Sequence, residues 1–217
     1  MYPRKKEASV SNKTRSQIIQ AAEKIFARGG YRAMTLREVT CEAGVNLASV
    51  NYHFGSKSNL MHELIGERFA PINQERLRLL DLKVTKYSNH VVPLEEIFDA
   101  LFRPLFTGLA SAAVKDAKLM QIIGRALTEP ADFIRNLHKD FFAELSMSFI
   151  RQIKRTCPKL SEEQIQYRFF LSISTMIGTM IEQVRLEGIS DGKLDGSNLD
   201  RLLSELTDFV VAGFRQK

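Results

Sequence analysis

Asn46, Ser49, Asn51, Tyr52 and His53 fall within eight consecutive residues. Each of these side chains can exchange hydrogen bonds with a phosphate or with the edge of a base. Ala48, between Asn46 and Ser49, is short enough to let a helix approach closely, and Lys57 follows with a cation. The chemistry on offer is recognition rather than bond making. Candidate bond-making sets fail on spacing. His62–Glu63 opens like a zinc-protease pair, but Gly66 stands where the second histidine must be. There is no glycine-rich phosphate loop and no nucleophile elbow. Cys41 and Cys157 lie far apart without metal-ligand spacing and are expected to be reduced thiols, so no metal and no cofactor are expected. A helical enzyme assembled from distant residues stays open as an alternative that sequence spacing cannot test.

Charge is concentrated in the same region. The 217-residue chain carries a net charge of +6. Its first sixty residues hold ten Lys/Arg against four Glu, which is the entire excess. A confined basic excess attracts polyanions. No basic helix with a large apolar face accompanies it, which favours nucleic acid over a membrane surface. No apolar run reaches the roughly 20 residues of a membrane helix. The polar, basic Met1–Lys13 segment lacks the apolar stretch of a secretory signal, so a cytoplasmic location is expected.

The elements that must hold these residues are readable as helices. Thr14 with Gln17 has capping-box spacing, and Ile18, Ala22, Ile25 and Phe26 form one apolar face behind it. Gly29–Gly30 should stop that helix. Thr35 with Glu38 opens a second, ended by Gly44, and Asn46 caps a third that carries Leu47, Val50 and Phe54 inward or at its margin. Two short helices joined through Ala43–Gly44–Val45 make a helix-turn-helix pattern, which projects the second helix into a major groove. Ser56 should cap a longer helix from Lys57, kinked or broken at Pro71. Pro93 suits the first position of another helix with Ile97, Leu101 and Leu105. Further helices are expected over 119–127, over 133–153 closed by Pro158, from Ser161 to Gly188, and from Ser197 to Phe214. No period-two strand pattern occurs. The expected fold class is all-α, with a basic arm at 1–13, a helix-turn-helix domain at 14–56 and a larger helical domain at 57–217.

Thr35, Val39, Ala43–Gly44–Val45, Tyr52–His53–Phe54, Lys57 and Leu60, preceded by Ile18–Ala21–Ala22–Phe26–Gly30–Tyr31, resemble TetR-type bacterial transcriptional repressors over residues 14–65. The resemblance implies a homodimer that binds double-stranded operator DNA through its first domain and is released by a small-molecule effector held in the second. It implies DNA contacts from Asn46, Leu47, Ala48, Ser49 and Tyr52 and a phosphate contact from Lys57; Thr35, Arg37, Asn51 and His53 complete the candidate DNA-binding set. Asn51 stands where the family usually has tyrosine, and Thr40 where alanine is usual. Leu47 can pack inward or meet a thymine methyl, and the family pattern favours the second.

The downstream region holds twelve of the fourteen phenylalanines, first of all a core, but also suited to an apolar ligand. Phe102, Phe106, Met120, Arg125, His138, Phe141, Arg168 and Met176 form the candidate effector set. In it, Arg125 and Arg168 could each hold an anionic head group or join an internal ion pair. A local similarity across 129–168 resembles a branch that senses acyl-type metabolites. The 161–188 helix is apolar on two adjacent stripes, one more than its own domain requires. With the last helix it suggests a dimer face made by Phe170, Ile177, Ile181, Leu202 and Leu206. A DNA-binding architectural protein without a ligand is the second alternative, although DNA binding alone needs only the first sixty residues.

Overall fold

A computed structural model describes residues 4–88, 90–110, 136 and 138–216, without the side chains of 4–10, 107–110, 138, 183 and 184. Among the described residues all regular structure is helical. Those up to Phe69 form one compact unit; those of 70–110 and 138–216 form a second.

The first unit contains α1 (Arg4–Ala33), α2 (Leu36–Ala43), α3 (Leu47–Phe54) and the start of α4 (Lys57–Tyr87). Helix α1 begins ten residues before Thr14, so Thr14 lies within it and is not its cap. Its helical geometry breaks at Gly30, whose φ of 75° a residue with a Cβ rarely adopts. Ile18, Ala22 and Phe26, four residues apart, are fully buried, and Val39 and Val50 bring α2 and α3 onto the same core. Leu60, Met61, Leu64 and Ile65 extend that core along α4, which explains why the unit closes at Phe69 and not at Ser56. Pro71 lies inside α4, two residues past that division, and the helix continues through it.

The second unit contains the rest of α4, α5 (Leu94–Ala110), a π-turn at His138–Phe142, α6 (Ala143–Thr156), α7 (Glu162–Ile181), α8 (Gln183–Ile189) and α9 (Leu199–Arg215). Pro93 sits one position outside α5, where its carbonyl accepts from Glu96 and Ile97. The expected 161–188 helix is divided at Glu182 into α7 and α8. The core is built by Phe98, Phe102 and Phe106 from α5, Leu145, Phe149 and Ile153 from α6, and Leu203, Leu206, Val210 and Phe214 from α9. Phe98 lies 5.4 Å from Phe102 and 5.2 Å from Phe214, ring centre to ring centre. Each such side chain contributes roughly 2 kcal/mol of apolar burial. The helices expected over 119–127 and the opening of the 133–153 segment lie outside the described residues.

Candidate nucleic-acid interface and ligand unit

Local hydrogen bonds fix the turn between α2 and α3. The Glu38 amide donates to Thr35 Oγ1 at 3.2 Å, while the Thr35 amide donates to Glu38 Oε2 at 2.9 Å. The same hydroxyl and amide hold the Glu38 carboxyl below its ordinary pKa. At the other end Gly44 takes the left-handed conformation, φ 66°, and its amide donates back to the Cys41 and Thr40 carbonyls. Thr40 is buried, and its hydroxyl donates to the Arg37 carbonyl at 2.8 Å, a packing role for the residue that replaces alanine.

With Val50 and Phe54 buried, α3 presents Leu47, Ala48, Asn51 and Tyr52 on its outer face. Leu47 is 51% and Tyr52 82% exposed, large apolar and aromatic surface that the subunit itself leaves in solvent. Ser49 and His53 are half-buried at the edges. The His53 ring stands edge-on to Tyr52, centroids 5.1 Å apart, and 6.0 Å from Phe54. Asn46 Oδ1 accepts from both the amide and the hydroxyl of Ser49, at 2.8 and 3.0 Å. Two of the residues expected to contact DNA are therefore tied to each other as a helix cap. The Ser49 hydroxyl, already donating, has acceptor lone pairs left.

Lys57 is half-buried with its Nζ 4.3 Å from the centre of the Tyr31 ring, a cation–π contact that holds the side chain at the start of α4. Three other cations of this unit are neutralised inside it. Arg15 pairs with Glu63 and Glu67, Lys24 with Glu42, and Arg68 with the buried Glu23. Thr35 and Arg37 are exposed. Arg37 and Arg32, both exposed, make no ion pair among the described residues. Arg32 is not among the candidate DNA-binding residues, because nothing in the motif singles it out from neighbouring cations.

In the second unit Phe102, Phe106 and Met176 are buried and Phe141 half-buried. What joins α5, the π-turn and α7 is a residue the sequence did not single out, Arg76 of α4, 4% exposed. Its Nε donates to the Leu101 carbonyl at 2.7 Å, its Nη1 to Asn73 Oδ1 at 3.2 Å, and its Nη2 reaches Met176 Sδ at 3.7 Å. Asn73 in turn donates to the Phe141 carbonyl at 2.9 Å. Burial lowers the Arg76 pKa to about 10, which leaves it protonated at neutral pH. Arg168 makes no ion pair among the described residues. Its Nη1 donates to the carbonyls of Gly213, Phe214 and Gln216 and caps α9. The reason is the negative end of the α9 dipole, which a guanidinium complements. Met120 and Arg125, and the side chain of His138, lie outside the described residues.

Of the candidate dimer residues, Phe170 is 65% and Ile181 37% exposed, and Ile177 and Leu202 are half-buried. Leu206 is a correction: α9 turns Leu203, Leu206, Val210 and Phe214 into its own unit, and Leu206 is 5% exposed. Phe209, 70% exposed on the other side of α9, is the outward residue instead.

Among the described residues no helix is long and apolar enough to cross a membrane, and no group of His, Cys, Asp or Glu could hold a metal.

Comparisons with known proteins agree with this architecture. The chain is 36% identical over 66 residues to the transcriptional repressor BepR of Brucella suis, covering 30% of this chain and 31% of that protein. It is 39% identical over 72 residues to the dual regulator CecR of Shigella flexneri, covering 30% and 32%. The chain thus matches about a third of the length of these curated relatives. Among solved structures, the fatty acid degradation regulator FadR from Bacillus halodurans superposes with a TM-score of 0.64 at 18% identity, over 94% of this chain and 97% of that one. FadR from Bacillus subtilis, in complex with stearoyl-CoA, gives 0.57 at 18% identity, over 91% and 98%. These two show the shared fold. Residues 18–64 match the bacterial regulatory proteins of the tetR family, and residues 99–213 match the tetracyclin repressor-like C-terminal domain. Covered at both ends by these two domains, the chain belongs to the TetR family of transcriptional regulators.

Proposed function

We propose that this regulator is a repressor that binds a roughly palindromic operator as a homodimer and leaves it when a mainly apolar, acyl-type effector binds the second unit. The observation that carries the DNA half is the outer face of α3, Leu47, Ala48, Asn51 and Tyr52, held by a capped turn at each end. One such helix reads only a few base pairs, so useful specificity requires two, spaced by about one helical turn of roughly 34 Å. The outward apolar residues Phe170, Ile181 and Phe209 support a second copy of the chain as partner.

The effector class is supported by the Phe102, Phe106, Met176 core and by the fold shared with the two FadR proteins, one of which carries stearoyl-CoA. In this reading the effector favours a dimer whose α3 helices are wrongly spaced, with α4, which runs from Lys57 to Tyr87, passing the shift to Lys57. The coupling needed is about 1–3 kcal/mol, and linkage requires operator DNA to weaken effector binding by the same factor. Footprinting on DNA upstream of the chain's own gene, with and without stearoyl-CoA, tests both halves. The expected result is a protected palindrome that stearoyl-CoA releases. No protected site would overturn the repressor reading; a site that neither stearoyl-CoA nor stearate releases would overturn the acyl reading.

A further inference from the structure

We propose that Arg76 is an internal recognition point for a carboxylate, so that the ligand of the second unit is an anionic acyl chain whose charged end lies inside the protein. The inference rests on the effector reading above and specifies its chemistry.

A guanidinium taken out of water costs several kcal/mol unless an anion balances it. Folded chains normally supply a counter-charge to a buried ion, and this one does so in its first unit, where the buried carboxylate of Glu23 is paired with the half-buried Arg68. Arg76 is as deeply buried, yet among the described residues all three of its partners are neutral: a carbonyl, an amide oxygen and a thioether. One of the three, the Leu101 carbonyl, belongs to α5 and stands beside Ala100, whose own carbonyl lacks its helical donor because Pro104 has no N–H.

The two terminal nitrogens carry the unspent donor capacity. Together they carry four N–H groups. One is used by Asn73 and one rests on the Met176 sulfur, a weak acceptor at 3.7 Å. A planar carboxylate takes two parallel N–H donors from such a fork, with charge assistance and shorter bonds than a thioether permits. Methionine is unbranched and adaptable, so Met176 can give way at little cost. Asn73 is held in place by the Phe141 carbonyl of the π-turn, and this fixes the plane of the fork. Short π segments often occur at functional sites. A carboxylate bound here would touch α4, the π-turn and α7 through one guanidinium.

The test is titration of the full chain, without DNA, with dodecanoate and with 1-dodecanol, which differ only in the charged end. Wild type is expected to bind the carboxylate at least roughly tenfold more tightly, the ratio given by hydrogen bonds to a charged group. Arg76→Gln should bring the two affinities together while keeping the alcohol's. Arg76→Lys, which keeps the charge but not the fork, should reduce the preference severalfold and carries the test if the first variant does not fold by circular dichroism. Equal binding of the two chains by wild type, or a preference that survives in a folded variant, overturns the proposal and leaves an apolar effector standing. Binding of neither chain overturns this inference, whereas release of the operator by stearoyl-CoA, whose acyl end is a thioester and not a carboxylate, would leave the acyl reading standing without it.

Discussion

The two units handle charge in opposite ways. In the first, Glu23, Arg15 and Lys24 all find partners within the unit, and the turns at Thr35, Gly44 and Asn46 satisfy their own backbone groups. In the second, the one arginine at the centre of four elements meets only neutral acceptors among the described residues. For the first unit, proposed to read an operator, internal neutrality would keep the presented face constant, since nothing added later changes its balance. For the second, proposed to hold the effector, the reverse would be the advantage. An interior charge that the chain does not offset makes its stability depend on what binds.

The largest expected effect breaks the partnership of two chains. Phe170→Glu places a charge on the outward face of α7, and sedimentation should show a folded monomer with operator affinity lowered more than 100-fold. Leu206→Glu should instead lose helical signal, because its charge would be buried within α9's own core. A folded monomer from Leu206→Glu would reverse that assignment.

The comparison itself is next. Arg68→Ala leaves Glu23 buried without its cation and should cost roughly 3 kcal/mol in urea unfolding. Arg76→Met removes a buried charge that has no counter-charge among the described residues, and should stay within about 1.5 kcal/mol of wild type. If the two losses prove equal, Arg76 is a structural keystone and the contrast between the units fails.

Within the reading head, Ser49→Ala should cost ~1–3 kcal/mol at the base pair it faces and alter the order of preference among operator variants. Unchanged preference would limit Ser49 to capping. Smaller still, Tyr52→Phe should cost ~0.5–1.5 kcal/mol, while Lys57→Ala should weaken all sequences alike and reduce the salt slope by about one. A sequence-dependent Lys57→Ala effect would place that lysine on a base.

The smallest effect is an acid one, confined to the second unit. Lys83, then Lys86, hold the Glu96 carboxyl down to about 2. Its contribution is therefore fully present above the ordinary value of 4.5 and is lost as pH falls from there toward 2. Tyr87 fluorescence at the α4–α5 junction should follow that window in wild type and not in Glu96→Gln, and a change centred near neutral pH would assign it to another group.

The sequence by itself determined the all-helical class, several of the caps and the family, but not the start of α1 or the division at Glu182. Thr35 with Glu38, Asn46 with Ser49 and Ser161 with Gln164 are pairs three residues apart, and apolar faces repeat every three or four, so each signal is complete within one or two turns. Tertiary structure alone decided which face of α9 turns inward, and so placed Leu206 in the core and Phe209 outside it. It also decided that Arg168 caps α9 from 45 residues away. Arg76 was illegible for the same reason: its partners stand 25 and 100 residues along the chain. An arginine in an amphipathic helix reads as solvent-facing until the fold brings apolar elements around it, because burial is a property of the neighbours and not of the residue.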